Sequence, residues 1–291
     1  MRLQEALRQG FAVLEEAGVP SPRLAAELLL MHAAGCDRTC LYAHPERELS
    51  DAERVLYGRY LNERMHGKPT QYIIGRQEFW GLEFRVTPAV LIPRPETEHV
   101  VERAIELARG GADGAPAGAL AIIDVGTGSG CIAVALAGSV PGAQVFATDI
   151  SAASLAVAAD NAQRLVGRRI GFCRADLLSG IADATMDIVV SNPPYVPLTQ
   201  AAGLQREIRE FEPAVAVFAG DHGPEIYARL IPEAARVLRP GGWVVLELGF
   251  GMLDHVRAMF GAGWADIDVR PDLAGIPRVI SGRLQPPLFA V

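Results

Sequence analysis

The sequence predicts an α/β protein in which an open parallel sheet, with helices on both faces, follows a small all-α domain and a β-hairpin linker. Three patterns support this fold class. Apolar residues recur at helical spacing over residues 1–70, aromatic and branched residues alternate over 79–86, and strand-like and helix-like segments alternate from residue 119 onward. With 291 residues, 50% of them hydrophobic, the chain is long enough to form two domains.

The N-terminal region predicts three helices. Ser21-Pro22 supplies an N-cap and a proline at the first helical position of the second helix, and Ser50-Asp51-Ala52-Glu53 is a capping box that opens the third. Apolar residues at helical spacing define the three helices: Leu3, Leu7, Phe11 and Leu14, then Leu24, Leu28 and Met31, then Val55, Leu56 and Leu61. Because its histidines His32, His44 and His66 are scattered, we expect a recognition or support module here rather than a catalytic centre.

The next segments predict a hairpin that connects two domains, and then a helix. Residues 79–86 alternate around Gly81, as in two short paired strands. Pro93 and Pro95 prevent a helix or a central strand from continuing, and Thr97 can cap the helix that follows. The Gly/Ala/Pro-rich stretch 110–118 predicts a surface loop.

From residue 119 the pattern alternates between strands and helices. The predicted strands are 120–125, 144–149, 170–174, 186–191, 242–248, 265–270 and 277–283, and the predicted helices are 130–139, 151–166, 224–238 and 251–261. Such alternation is typical of an open parallel sheet. Ligands of these sheets bind at the carboxyl ends of the strands, where the two most unusual loops of this chain lie.

The first unusual loop follows strand 120–125 and predicts a nucleotide-like cofactor site. Its residues are Gly126, Thr127, Gly128, Ser129 and Gly130. The glycines permit a tight turn and close approach of the backbone, and the following helix offers free N–H groups. The G-x-G-x-G spacing differs from the G-x-G-x-x-G of dinucleotide sites. Asp124 precedes the turn, where it could match a positively charged ligand group.

Two acids and a leucine follow neighbouring predicted strands. Asp149 ends the second strand, about 20 residues after the last glycine, where an acid accepts hydrogen bonds from a ribose diol. A helix cap is the alternative for Asp149, and the two roles are compatible. Asp176 and Leu177 follow the third strand, where they would meet an adenine amino group and ring. The alternative for them is a loop acid beside a core leucine.

The second unusual loop is Asn192-Pro193-Pro194-Tyr195, directly after strand 186–191. Two prolines force a stiff, extended turn that presents an amide side chain, bare carbonyls and an aromatic ring. Such groups can hold a planar amino or amide group, with oxygen acceptors for its hydrogens and a ring against its face. Together the two loops predict group transfer to a planar nitrogen, although Asn192 and Tyr195 could instead be a turn residue and a core residue.

Arg94, Glu96 and Glu247 are charged residues without a settled role. Arg94 and Glu96 either form a surface ion pair or line the substrate entrance between the domains. Glu247 ends a predicted central strand, where an acid is unusual, and the sequence assigns it no function.

Composition excludes several classes of function. The net charge of −7 opposes a surface that grips a long stretch of nucleic acid. The four cysteines lack a CxxC pattern or metal-ligand spacing, so we expect free or buried thiols and no metal. No apolar run approaches the ~20 residues of a membrane span, and the N-terminus lacks a signal-peptide core. We therefore expect a cytoplasmic protein that binds neither membranes nor, stably, nucleic acid.

Taken together, these motifs resemble those of the bacterial protein-(glutamine-N5) methyltransferases that modify peptide chain release factors. The resemblance covers essentially the whole chain. The NPPY loop alone is shared with DNA and RNA amino-methyltransferases, whereas the Arg94-Pro95-Glu96-Thr97-Glu98 segment beside a helical module is more specific. The matching segments are 69–75, 91–98, 124–130, 192–195, 211–213 and 272–275.

The resemblance implies a class I, Rossmann-like methyltransferase domain with a seven-stranded sheet. It also implies S-adenosyl-L-methionine as methyl donor, S-adenosyl-L-homocysteine as product, and the glutamine of a Gly-Gly-Gln loop as acceptor. The implied domains are a recognition domain at 1–72, a hairpin linker at 73–92 and the catalytic domain at 93–291. The glycine loop would wrap the methionine portion and Asp149 would hold the ribose.

The same resemblance implies the acceptor site. Asn192 would bind the glutamine amide, helped by the Pro193 carbonyl and the Tyr195 ring, with Pro194 beside them, and Asn192 would also contact the cofactor. Leu177 stands where some relatives carry an aromatic residue against adenine. Three rival functions remain from the residues: a DNA or RNA amino-methyltransferase, a nicotinamide-dependent oxidoreductase, and a non-catalytic cofactor-binding module.

Overall fold

The computed structural model describes residues 1–110, 120–167 and 170–286. The predicted loop at 110–118 therefore lies, apart from Gly110, outside the described residues. The described chain divides into two compact units, one formed by Met1–Arg76 with Gln205–Phe211 and the other by Gln77–Leu204 with Glu212–Val291.

The first unit is helical, as the apolar periodicity predicts. Its helices are α1 (Leu3–Glu16), α2 (Pro22–Ala34), α3 (Arg38–Ala43), α4 (Asp51–Met65), α5 (Thr70–Ile74) and, from later in the chain, α9 (Arg206–Phe211). The capping box of α4 is present, because Ser50 and Glu53 each accept a hydrogen bond from the other's backbone N–H. The short helices α3, α5 and α9 were not predicted, since five or six residues carry too little periodicity.

Some details of the predicted helices are wrong. Ser21 occupies the N-cap position of α2, but its side chain makes no capping hydrogen bond. The predicted stripe of α2 is also wrong, because Leu24 is exposed. Val55 on α4 is exposed as well. The buried face of α2 instead contains Ala25, Ala26, Glu27, Leu29, Leu30, Ala33 and Ala34.

The predicted hairpin is formed by β1 (Arg76–Phe79) and β2 (Leu82–Arg85), and all of it except Arg76 belongs to the second unit. Trp80 and Gly81 both have positive φ, which is the conformation that a two-residue hairpin turn requires. The hairpin packs Phe79 and Phe84 into the core of this unit. A 3-10 turn (Pro95–Thr97) and α6 (Glu98–Arg109) follow. Thr97 does not cap α6 with its side chain, which contacts other groups described below.

A seven-stranded sheet forms the centre of the second unit. Its strands are β3 (Ala121–Val125), β4 (Gln144–Asp149), β5 (Gly171–Arg174), β6 (Met186–Ser191), β9 (Leu238–Glu247), β10 (Trp264–Pro271) and β11 (Pro277–Leu284). Their order is β10-β11-β9-β6-β3-β4-β5. The five strands from β9 to β5 are parallel to their neighbours. The expectation of a purely parallel sheet is corrected at one edge, because β11 runs antiparallel to both β9 and β10.

Helices cover both faces of the sheet. Successive residues of β3 alternate between two apolar clusters, with Ile122 in one and Ile123 in the other, as the pleat of a strand requires. The remaining elements are α7 (Cys131–Ser139), α8 (Ala152–Leu165), β7 (Val196–Pro197), a 3-10 helix (Leu198–Gly203), α10 (Ala214–Val217), β8 (Phe218–Gly220), α11 (Glu225–Val237) and α12 (Leu253–Ala258). The strand β9 begins earlier than predicted and α12 is shorter than predicted.

Candidate active site

Four parallel strands bring the predicted site residues together at their carboxyl ends. Val125 at the end of β3 pairs in register with Thr148 of β4 and Ser191 of β6, and Ser191 pairs with Leu246 of β9. The glycine loop, Asp149, Asn192 and Glu247 therefore all lie at the carboxyl ends of neighbouring strands, as expected for the ligand site of such a sheet.

A cleft opens at these carboxyl ends. Its polar lining includes Asp149, Asp176, Asn192 and Arg229, and its other walls are mostly apolar. The apolar and glycine residues that line it include Ala89, Val90, Leu91, Gly126, Gly128, Ile150, Ala175, Leu177, Pro194, Pro213 and Phe218. An apolar cleft with a few convergent polar groups is the usual form of a small-molecule site.

Two glycines of the predicted loop line the cleft. Gly126 and Gly128 have φ of 71° and 54°, and a Cβ atom at either would meet no protein atom within 4 Å. Open space beside a bare backbone is suited to close approach of a ligand. Gly130 has a different role, because its Cβ would lie 3.0 Å from the Ala158 side chain, so a glycine here allows α7 and α8 to pack.

The side chains of the other two loop residues turn inward. Thr127 and Ser129 are buried and neither lines the cleft. Thr127 Oγ1 donates to Asp124 Oδ2 over 2.7 Å. Asp124 is fully buried, and burial raises the pKa of its carboxyl to about 7. Asp124 does not line the cleft either, so the structure places it as a support for the loop and gives no contact for a ligand cation.

Asp149 joins the loop to the cleft. Its Oδ2 accepts from the Gly128 N–H over 2.9 Å and its Oδ1 accepts from the Ser151 N–H over 2.8 Å. The alternative role of Asp149, as the N-cap of α8, is wrong. The N-cap is Ser151, whose Oγ accepts from the Ser154 N–H. Asp149 therefore fixes the glycine loop and still lines the cleft.

Asp176 and Leu177 both line the cleft. Asp176 Oδ2 forms an ion pair with Arg229 Nη2 at 2.7 Å, with both side chains about half exposed. Leu177 has a φ of 52°, a conformation that is uncommon for a branched side chain. This strained residue places an aliphatic side chain in the wall of the cleft.

Asn192 lies in the lining with its amide already oriented. Its Nδ2 donates to Thr97 Oγ1 over 3.0 Å, and Thr97 Oγ1 donates to Glu247 Oε2 over 2.6 Å. Pro194 also lines the cleft, whereas Pro193 is buried. The sequence did not indicate these contacts of Thr97 and Glu247. Thr97 is 95 positions from Asn192 and 150 positions from Glu247, and no local pattern connects residues so far apart.

Tyr195 lies against the loop after β9. A Cβ atom on Gly249 would come within 2.5 Å of Tyr195 Cδ2, so the ring packs directly on that backbone. Burial is the largest cause that raises the Tyr195 pKa to about 12, and Glu247 acts in the same direction. The phenol therefore stays protonated at neutral pH and offers no base.

Arg94 forms its ion pair with Glu212, which corrects the suggested pairing with Glu96. Glu212 is buried. Arg278 belongs to the same charged surroundings, because it acts with Arg94 on the pKa of both Tyr195 and Glu247. Its Nε also pairs with Asp272 Oδ2 at 2.9 Å. The described residues contain no group of three or more histidines, cysteines or acids that could hold a metal.

Comparisons with known proteins cover nearly the whole chain. Residues 5–75 match the model of the PrmC N-terminal domain and residues 116–208 match that of the methyltransferase small domain. A release factor glutamine methyltransferase of Koribacter versatilis is 46% identical, with 97% of this chain and 99% of that protein aligned. Another, of Geobacter sulfurreducens, is 42% identical over 93% of each chain.

Solved structures of low sequence identity share the fold. A methyltransferase from Pyrococcus furiosus is 16% identical with a TM-score of 0.51, and covers 79% of this chain and 100% of its own. A Thermus thermophilus 16S rRNA methyltransferase, solved with AdoMet and guanosine, is 21% identical with a TM-score of 0.50, and covers 72% of this chain and 50% of its own. At these identities the likeness concerns the fold alone.

Proposed function

The chain belongs to the release factor glutamine methyltransferase family, and from this premise we propose that it methylates a glutamine side chain of peptide chain release factors. The methyl group would pass from S-adenosyl-L-methionine to the amide nitrogen of the glutamine in a Gly-Gly-Gln motif. The observation that carries this proposal is the orientation of Asn192, whose amide is fixed at the edge of a cleft that also contains a bare glycine loop.

The lining of the cleft fits the cofactor. Gly126 and Gly128 leave open space for its methionine portion, and the Asp149 carboxylate faces the same cleft. Leu177 and the backbone near Asp176 would hold the adenine. Thr127, Ser129 and Gly130 contribute by shaping the loop. When bound, S-adenosyl-L-methionine supplies a methyl group activated by its sulfonium.

The acceptor glutamine would be held by oxygen atoms. Because Asn192 donates its Nδ2 hydrogen to Thr97, its Oδ1 remains to accept from the glutamine amide. The Pro193 carbonyl would accept the second amide hydrogen. Pro194 and the Tyr195 ring would pack against the planar amide, and Arg94 and Glu96 would line the entrance.

Catalysis would depend on position and electrostatics. An amide nitrogen is a weak nucleophile because its lone pair is delocalised, and the described lining of the cleft contains no histidine or lysine. Oxygen acceptors at the nitrogen would hold it in line for attack and stabilise the positive charge that develops there. After the transfer the methylated nitrogen loses one of its hydrogens as a proton to water, which leaves a neutral N-methyl amide.

Selection of the protein substrate requires a second surface, since a glutamine pocket cannot distinguish one protein from another. We assign this docking role to the helical domain at residues 1–72. The net charge of −7 gives no support to stable nucleic-acid binding, so the rival function of a DNA or RNA amino-methyltransferase is not adopted. No helix in the described residues could cross a membrane, and we propose that the protein acts in the cytoplasm, where its protein substrate is made.

The test is the variant Asn192→Ala. Without the side-chain oxygen the acceptor amide loses its orientation, so we expect turnover to fall by about 1,000-fold or more. Binding of S-adenosyl-L-methionine, measured by calorimetry, should survive because Asn192 would contact the acceptor. A near-normal rate of methyl transfer to release factor would show that this assignment is wrong.

A further inference from the structure

Thr97, Asn192 and Glu247 form a hydrogen-bonded chain that connects three separate elements. Glu247 is the last residue of β9, Asn192 follows the last residue of β6, and Thr97 ends the 3-10 turn before α6. The strands β6 and β9 are parallel neighbours. The chain runs from Glu247 Oε2 to Thr97 Oγ1 at 2.6 Å, and from Thr97 Oγ1 to Asn192 Nδ2 at 3.0 Å.

The hydrogen-bonded chain is buried at its Glu247 end and reaches the cleft at its Asn192 end. Thr97 and Glu247 are each only 2% exposed, whereas Asn192 lines the cleft. A buried acid in an apolar core is costly, and replacing it with an apolar residue is often neutral or stabilising. Its presence beside Thr97 is therefore better explained by control of a neighbouring side chain than by stability.

When Glu247 is ionised, the chemistry of the three groups fixes the direction of both hydrogen bonds. An ionised carboxylate accepts only, so the single Thr97 hydroxyl proton goes to Glu247. The lone pairs that remain on Thr97 Oγ1 must then accept from Asn192, which places Nδ2 on Thr97. The two ends of an asparagine amide are otherwise nearly equivalent in shape, and only its partners distinguish them.

We propose that Thr97 and Glu247 are positioning residues, and that their chain of hydrogen bonds holds the Asn192 amide with Oδ1 available to the acceptor nitrogen. This inference rests on the proposed function, because it is the glutamine amide that requires an acceptor. Neither residue would touch substrate. Each would act through Asn192.

Protonation of Glu247 would weaken this arrangement. Burial raises its pKa to about 7, with the Thr97 hydrogen bond acting in the opposite direction. A protonated carboxyl can donate to Thr97, whose proton is then free to turn to Asn192 Oδ1 and favour the inverted amide. In the part of the chain that the structure describes, the titratable and charged groups that act on Glu247, or on which it acts, include Glu96, Arg94, Arg278, Tyr195, Tyr227 and Cys131.

The first experiment compares Thr97→Val with Thr97→Ser. Valine keeps the shape but removes the hydroxyl, so kcat should fall by about 100-fold, while the KM for release factor and the Kd of S-adenosyl-L-methionine stay close to wild type. Serine keeps the hydroxyl and should restore most of kcat. A fully active Thr97→Val would overturn the proposal, as would a Thr97→Ser as impaired as the valine variant.

A matched control is Ser191→Ala. Ser191 is equally buried, and its Oγ donates to the Val125 carbonyl over 2.7 Å, but it has no part in the chain. We expect a lower Tm with an unchanged kcat. If Ser191→Ala loses as much activity as Thr97→Val, the effect is general destabilisation and the proposal fails.

The variant Glu247→Gln provides a test that does not depend on Thr97. Glutamine can still accept from Thr97 through its oxygen but cannot titrate, so activity should persist at pH 8 and the loss of wild-type kcat below about pH 7 should disappear. This loss should persist in Asp124→Asn, which removes the other carboxyl whose pKa is raised to about 7. If kcat of Glu247→Gln falls below about pH 7 in the same way as kcat of the wild type, the proposed role of Glu247 is contradicted.

The same assays separate this inference from the proposed function. A wild-type protein that transfers no methyl group to release factor would refute the function itself. An active wild type whose kcat and pH profile are unaffected by the substitutions at positions 97 and 247 would refute only the positioning role.

Discussion

At the scale of single residues, the Asp149 side chain holds the glycine loop through Gly128 and also lines the cleft. Each of its carboxylate oxygens accepts one backbone hydrogen bond within the protein. A carboxylate has about four acceptor positions, so both oxygens retain capacity for the hydroxyls of a ribose. The position of Asp149 at the edge of the cleft could be predicted from spacing alone, because the end of a strand and a preceding glycine loop are local signals, whereas its ribose role stays a prediction.

The variant Asp149→Ala tests the ribose role. Loss of two charge-assisted hydrogen bonds should weaken binding of S-adenosyl-L-methionine by about 100-fold, measured by calorimetry. The matched control is Asp183→Ala, which removes an exposed acid that pairs with Arg236 and lies outside the cleft. An unchanged dissociation constant for Asp149→Ala would refute the assignment.

Glu247 makes a second prediction at this scale. Its pKa in the folded protein is about 7, above its ordinary value of 4.5, so the folded state binds more protons between these two values. The stability that this group contributes is therefore fully present below pH 4.5 and is lost as the pH rises through 7. Glu247→Gln does not titrate, so its Tm relative to wild type should increase from pH 5 to pH 8.

A shift of this size corresponds to at most about 3 kcal/mol. Asp124 titrates in the same range, but it is present in both proteins and cancels in the comparison. A Tm difference between Glu247→Gln and wild type that stays constant from pH 5 to pH 8 would contradict the raised pKa.

At the scale of elements, the loops after β6 and β9 pack against each other. Tyr195 follows β6, and Gly249 follows β9, and the absence of a side chain on Gly249 lets the tyrosine ring lie on its backbone. The glycine loop and the NPPY loop were predicted because each follows a strand and carries its own local signals. Contacts between elements, such as those of Thr97 with Glu247, leave no trace in local periodicity.

The variant Gly249→Ala tests this contact. Its Cβ would lie 2.5 Å from Tyr195 Cδ2, so the ring must move. If the ring packs against the acceptor amide, kcat should fall by about tenfold or more while the Kd of S-adenosyl-L-methionine stays the same. Gly261→Ala, where a Cβ meets nothing within 4 Å, is the control. Equal turnover for the two variants would exclude a role for the Tyr195 position.

The error in the stripe of α2 has a different origin, also at this scale. Leu24, Leu28 and Met31 have helical spacing, but so do the buried residues Ala25, Leu29 and Ala33. A helix that is apolar around most of its circumference has no single face that periodicity can select. Only packing against the other helices decides which residues are buried.

At the scale of the whole molecule, each of the two compact units is formed by two separate segments of the chain. Gln205–Phe211 belongs to the helical unit although the flanking residues belong to the other unit. Within the helical unit, Arg64 Nη2 on α4 pairs with Glu207 Oε2 on α9 at 2.7 Å, and Arg64 is buried. Deleting residues 1–70 would therefore leave Glu207 without its partner, so substitutions in the full chain are a cleaner test of docking than truncation.

The central claim is the transfer of a methyl group to a release factor glutamine. The most direct measurement incubates the protein with labelled S-adenosyl-L-methionine and purified, unmodified release factor, and locates the label by mass spectrometry. We expect one methyl group on the glutamine of the Gly-Gly-Gln motif. Absence of label on the release factor, with labelling of DNA or RNA instead, would contradict the account and favour an amino-methyltransferase of nucleic acids.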